Sequence, residues 1–171
     1  MKKITVILSL ALAALLAGCG KQDKELQDYY DSMTAFTDEV TTLSDSMNEV
    51  NPYDEDANYE MLGYLDEMEE QFKILAEMEV PEQFSINEEL ADEAYEYMQT
   101  AVGGFHEFYE DPTCDYSTFE IAKENYSRSL KRIEYISIIL KGEIPEGENI
   151  EVTEEESTDF NPVTDDAEDE D

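Results

Sequence analysis

Four stretches of this chain space their apolar residues alternately three and four apart, and each stretch is closed by a proline or a glycine. At 3.6 residues per turn such positions stack into one stripe, so the pattern predicts amphipathic helices. The first stripe is Leu26, Tyr29, Met33, Phe36, Val40, Leu43, Met47 and Val50. Asn51-Pro52 ends it, because proline offers no amide donor and pushes the residue before it out of the helical region. The second stripe, Met61, Leu65, Met68, Phe72, Leu75 and Met78, predicts a helix from about Asp54 to Glu79, with Asp66, Glu67, Glu69, Glu70 and Glu77 on its other faces.

Val80-Pro81 breaks the second helix, and Ser85 with Glu88 three residues on offers a capping box for a third. Its stripe is Ile86, Leu90, Ala94, Tyr97, Ala101, Phe105 and Phe108. Gly103-Gly104 interrupts it, and each glycine costs about 1 kcal/mol relative to alanine inside a helix. Close contact with a neighbouring helix or a kink would explain the pair, and so would a hinge or a small ligand groove. After Asp111-Pro112, Ser117 and Glu120 read as a second capping box, with Tyr116 and Ile121 as a hydrophobic staple. The fourth stripe is Phe119, Ala122, Tyr126, Ser129, Ile133, Ile136 and Leu140, widened by Leu130, Ile138 and Ile139, and Gly142 supplies the stop. The widened stripe predicts that this helix is the most buried.

Four helices of similar length joined by short turns predict an all-α fold, an antiparallel up-down-up-down four-helix bundle spanning residues 24–142. A helical hairpin repeat is the alternative, but two pairs fall short of the roughly three repeats a solenoid needs. Residues 143–171 carry fourteen acids and no cation. Such a segment cannot bury enough apolar surface to offset its ordering entropy, so a disordered acidic tail is expected, with Phe160 as its lone aromatic.

The beginning of the chain has a different composition. Met1-Lys2-Lys3 is basic, Ile4 to Leu16 is almost wholly apolar, and Leu16-Ala17-Gly18-Cys19 closes on small residues before a cysteine. The apolar run is well short of the roughly 20 residues that span a bilayer, so residues 1–18 read as a cleaved signal peptide. Leu16-Ala17-Gly18-Cys19 resembles the lipobox of bacterial lipoproteins. The resemblance implies that Cys19 carries a diacylglyceryl group and becomes the first residue, that residues 19–23 form a short lipidated tether, and that the protein sits on the extracytoplasmic face of a bacterial cell membrane. Two acyl chains make such attachment stable.

Charge narrows the partners. The full chain has a formal net charge of −35, and loss of Lys2 and Lys3 with the leader makes it −35 − 2 = −37. Nucleic acid and anionic polymers would be repelled. Five of the eight cations left, Lys123, Arg128, Lys131, Arg132 and Lys141, lie on the fourth helix, where they can bind it to acidic neighbours. With Cys19 acylated, Cys114 is a single thiol flanked by Asp111 and Asp115, which makes it an inert one.

No cofactor or metal chemistry is expected beyond the lipid on Cys19. Asp54, Asp56 and Asn58 imitate the start of a calcium loop, but the glycine and the bidentate glutamate such a loop requires are Tyr59 and Leu65. A di-iron bundle needs two Glu-x-x-His motifs, and the one histidine, His106, has Gly103 in the glutamate position. A hydrolytic nucleophile has only His106 as its base, and no phosphate loop or nucleophile elbow is present. The chain is therefore expected to be no enzyme. Met33, Met47, Met61, Met68, Met78, Tyr29, Tyr97 and Tyr126 fall on the stripes at core spacing; Tyr30, Tyr53, Tyr59, Tyr64, Tyr95 and Tyr135 do not. The sequence reading is a non-catalytic surface lipoprotein whose bundle binds a protein partner, with Tyr53, Tyr59, Tyr64, Tyr95, Gly103 and Gly104 as candidate contact residues. A small-ligand or divalent-cation binder and a structural spacer are the alternatives.

Overall fold

The computed structural model describes residues 22–111 and 113–145. Cys19, the leader, most of the tether and residues 146–171 lie outside the described residues. Four helices run up and down as an antiparallel bundle: α1 (Gln22–Glu49), α2 (Ala57–Ala76), α3 (Ile86–Glu110) and α4 (Tyr116–Leu140). Among the described residues there is no strand, and no helix is long and apolar enough to cross a membrane. The near end of the bundle is where α1 begins and the α2–α3 turn lies. The far end holds the α1–α2 and α3–α4 turns.

The core is the four stripes turned inward. Met33, Leu65, Met68, Phe72, Leu75, Met98 and Ile136 are almost wholly buried, each worth about 1.5–3 kcal/mol against exposure. Phe36 of α1 meets Phe72 of α2 edge-on at 5.5 Å. One contact ties α1 to α4 in antiparallel register: the Tyr30 hydroxyl donates to the Leu140 carbonyl at 3.4 Å. Ser32, Thr34, Thr37, Thr41, Thr42 and Ser46 of α1 donate their hydroxyls to carbonyls four residues back, the local bond open to such residues inside a helix.

Helices α3 and α4 pack most closely, through small residues. Ser129 donates to the Ala94 carbonyl at 2.7 Å, and Gly104 lies so close to Ala122 that an added Cβ would stand 3.0 Å from the alanine Cβ. Each of these helices carries seven buried residues, so α4 shares its burial with α3 instead of exceeding it. The α3 stripe is also rotated from the predicted one. Ile86 is exposed, while Asn87, Ala91, Met98 and Val102 are buried, because the seam against α4 favours small side chains over the largest apolar ones.

Two predicted capping boxes are replaced by other devices. Ahead of α3 the chain makes a 3₁₀ turn at Glu82–Phe84, and Ser85 is itself helical with no side-chain cap bond. Phe84 instead closes the near end against Tyr29 and Tyr30, at 6.2 and 6.0 Å. At α4 the cap is Asp115, whose carboxylate accepts from the Ser117 amide at 2.8 Å. Tyr116 and Ile121 are both exposed, and Tyr116 stacks on Phe119 at 5.5 Å in place of a staple.

Candidate binding surface at the far end

The far end is built from aromatic residues closely spaced along the chain on either side of the α3–α4 turn. Phe119, on the first turn of α4, is the hub: its ring centroid lies 5.6 Å from Phe105, 5.1 Å from Phe108, 6.2 Å from Tyr109 and 5.5 Å from Tyr116. The turn holds them in place. The Asp111 carboxylate accepts from the Thr113 amide at 2.8 Å and its hydroxyl at 2.7 Å, which pulls the acid below its ordinary pKa. Asp115 is lowered in the same way by the Ser117 amide it caps.

Beneath this cluster the four helices leave a cavity of about 200 Å³, half open to solvent. Leu65 and Phe105 are its buried floor; Met47, Met61, Tyr109, Phe119 and Tyr126 are its walls, and exposed Lys123 stands at its mouth. Burial raises the pKa of Tyr126 and of Tyr109. The Lys123 ammonium lies 3.1 Å from Glu120 and 5.8 Å from the Phe119 ring centre.

Four exposed large apolar side chains share this end, while Ile86 and Ile144 are exposed at the near end. Tyr53 is 93% exposed, Tyr59 83%, Tyr116 61% and Ile121 58%. The α1–α2 turn that presents Tyr53 is a locked one: Asn51 Nδ2 donates to Asp54 Oδ1 at 2.9 Å, and the Tyr53 amide donates to Asn51 Oδ1 at 3.2 Å. Asp54 thus serves the turn, and among the described residues no three acids, histidines or cysteines are grouped to hold a metal ion.

The predicted contact residues divide. Tyr53 and Tyr59 come together at the far end. Tyr64, one turn further along α2, is half-buried, bonds Glu60 at 3.3 Å and has its pKa raised by burial and by Glu60, Glu67 and Glu49. Tyr95 lies about 22 Å back along α3 at 1.5 Å per residue, half-buried, its hydroxyl accepting from Gln99. Gly104 is spent on the α4 contact, whereas Gly103 faces open space. Tyr30 is half-buried, and Tyr135 is buried, with Lys131 and Arg132 over its ring at 5.1 and 5.8 Å. Lys123, Arg128 and Lys131 of α4 pair with Glu120, Glu124 and Glu134 on their own helix, while Arg132 crosses to Glu93 of α3 and both arginines lie over the Tyr97 ring of α3, at 5.7 and 5.5 Å.

His106 does more than its sequence context suggested. Its Nδ1 is 2.9 Å from Glu110 and its Nε2 is 2.8 Å from Asp66 of α2. Both carboxylates accept, so a protonated imidazole donates to both at once, and the bond to Glu110, then that to Asp66, raise its pKa above the ordinary value. Sequence reasoning missed this bridge and the Phe119 hub. The density of aromatic residues between positions 105 and 119 was the available signal for the hub. Comparison with family models, with curated proteins and with solved structures finds no match for the chain.

Proposed function

We propose that this is a non-catalytic bacterial lipoprotein, held on the extracytoplasmic face of the membrane by a diacylglyceryl group on Cys19, that binds a protein partner with the far end of its bundle. The observation that carries the reading is the gathering of Tyr53, Tyr59, Tyr116 and Ile121, all more than half exposed, at one end of the molecule. Tyrosine combines a large apolar face with a hydroxyl and so gives binding area at small entropic cost. Helix α1 starts within a few residues of Cys19 and, at 28 residues, is about 42 Å long. A lipid on Cys19 therefore sets the tyrosines opposite the attachment point, where a partner meets them first.

A photo-reactive residue placed at Tyr59, and as a control at Ile86 of the near end, tests this in cells that make the protein. Capture of one discrete protein from Tyr59 and none from Ile86 is the expected result. Equal capture from both ends, or none from either, refutes it. Cys19→Ser is expected to release the chain from the membrane fraction; retention there would refute the lipid anchor.

A further inference from the structure

The cavity at the far end is larger than the roughly 150 Å³ engineered cavity that takes up benzene, so it has room for one large apolar side chain. Its walls include Met47 and Met61, whose flexible thioethers can adapt to an incoming group. Every helix also places an exposed carboxylate within two residues of a wall residue, Glu49 on α1, Glu60 on α2, Glu110 on α3 and Glu120 on α4; Glu110 is bonded to His106 and Glu120 to Lys123, so of these four Glu49 and Glu60 are the two with no cationic partner among the described residues. Lys123 is the only cation among the lining residues, and Glu120 answers its charge.

That charge distribution selects the occupant. A second copy of the chain brings the same net charge of −35. The chain's own residues 146–171 bring Phe160 but no cation, and an anionic amphiphile would set its head group against the carboxylates; each of these is repelled. A segment rich in lysine and arginine is attracted, and its cations find carboxylates and exposed tyrosine faces on the same end.

We infer that the far-end cavity receives a large apolar side chain carried on a Lys/Arg-rich segment of the protein partner, with Glu49 and Glu60 receiving the flanking cations. This rests on the reading that the far end docks a protein, and it names the chemistry of what docks.

The chain contains no tryptophan, so a tryptophan in a peptide is the only such emitter in a mixture. The mature chain with Cys19→Ser is titrated with three amidated peptides: Lys-Lys-Trp-Lys-Lys, Glu-Glu-Trp-Glu-Glu, and a dye-labelled Lys-Lys-Ala-Lys-Lys. The expected result is a blue-shifted tryptophan and binding of the first peptide at least about tenfold tighter than either other, weakening as salt rises. Met61→Phe and, separately, Met47→Phe narrow the cavity and should weaken the first peptide alone, with thermal melts verifying that each variant is folded. A tryptophan that keeps its emission in water, or equal binding of the alanine peptide, overturns the inference, because the acids then act without the cavity. Equal binding of the glutamate peptide overturns it from the other side, and so does uptake of 1-octanol with none of the first peptide. A partner captured at Tyr59 whose contacting segment lacks lysine and arginine also overturns it while leaving far-end docking intact. Capture at the near end instead overturns both.

Discussion

Adjacent glycines in the same helix should respond to alanine in opposite directions. At Gly103 a new Cβ meets nothing within 4 Å, so Gly103→Ala gains the helix propensity of alanine without a steric cost. The expected stabilisation is about 1 kcal/mol, or a rise of roughly 3–5 °C in Tm for a domain of this size. At Gly104 the same gain is set against a Cβ 3.0 Å from the Ala122 Cβ. A methyl bonded to the backbone has no rotamer in which to escape, so α3 and α4 must move apart, and overpacking of this kind costs about 1–3 kcal/mol. Gly104→Ala should therefore lie about 1–3 kcal/mol below Gly103→Ala and at or below the wild type. Urea and thermal unfolding followed by helical circular dichroism measure both. Ala122→Gly in the Gly104→Ala background should recover the contact, giving a favourable coupling energy in a double-mutant cycle. If Gly104→Ala stabilises as much as Gly103→Ala, the close approach of α3 to α4 is wrong.

Further outcomes follow from single groups. The folded pKa of His106 is raised by Glu110 and Asp66, so its stabilisation is complete below the unfolded value near 6.5 and is lost as pH rises through the folded value; the side chain is about a third exposed, so screening limits the loss to about 0.5–1 kcal/mol. His106→Gln should abolish that part of the pH dependence, and an NMR titration of the single histidine that gives a pKa at or below 6.5 would contradict the bridge. Ser129→Ala leaves the buried Ala94 carbonyl without its side-chain donor and should cost about 1 kcal/mol in urea unfolding; an unchanged midpoint counts against the bond. Asn87 is wholly buried, with its amide donating to the Tyr29 hydroxyl at 3.2 Å. Asn87→Asp should cost roughly 2–4 kcal/mol at neutral pH, where the new carboxyl would be charged, and recover in acid as it protonates; a loss that does not vary with pH would show that charge is not the cause.

How much of this was legible in the chain depends on whether the governing contact is local. Helix α2 keeps Leu65, Met68, Phe72 and Leu75 where the spacing put them, since a stripe of large apolar residues has one way to face a core. On α3 the same rule chose Ile86, Leu90 and Phe108 over Asn87, Ala91 and Val102, because the periodicity of large residues carries no information about a seam that needs small ones. Gly104 held that information, but one sequence does not say which side of a helix a glycine serves; the position of Ala122 settles it. The caps failed in a similar way. Ser85 and Ser117 fit the capping box as letters, yet the 3₁₀ turn before α3 and the carboxylate of Asp115 had already met the need for an acceptor.

The far end was legible in its parts and not in their assembly. Tyr53 and Tyr59 were marked by falling off the stripes, and both are exposed. Tyr135 falls off the stripes too and is buried, with the Lys131 and Arg132 cations over its ring. Tyr30, Tyr64 and Tyr95 are off the stripes as well and are half-buried with no lysine or arginine within one turn, so leaving the stripe does not by itself mean exposure. Tyr53 and Tyr59 have no lysine or arginine within ten positions on either side, whereas carboxylates flank them closely. A carboxylate side chain is short and repelled by the face of an aromatic ring, so it leaves a tyrosine uncovered where a lysine or arginine would cover it. The scarcity of lysine and arginine around Tyr53 and Tyr59 thus accords with their exposure.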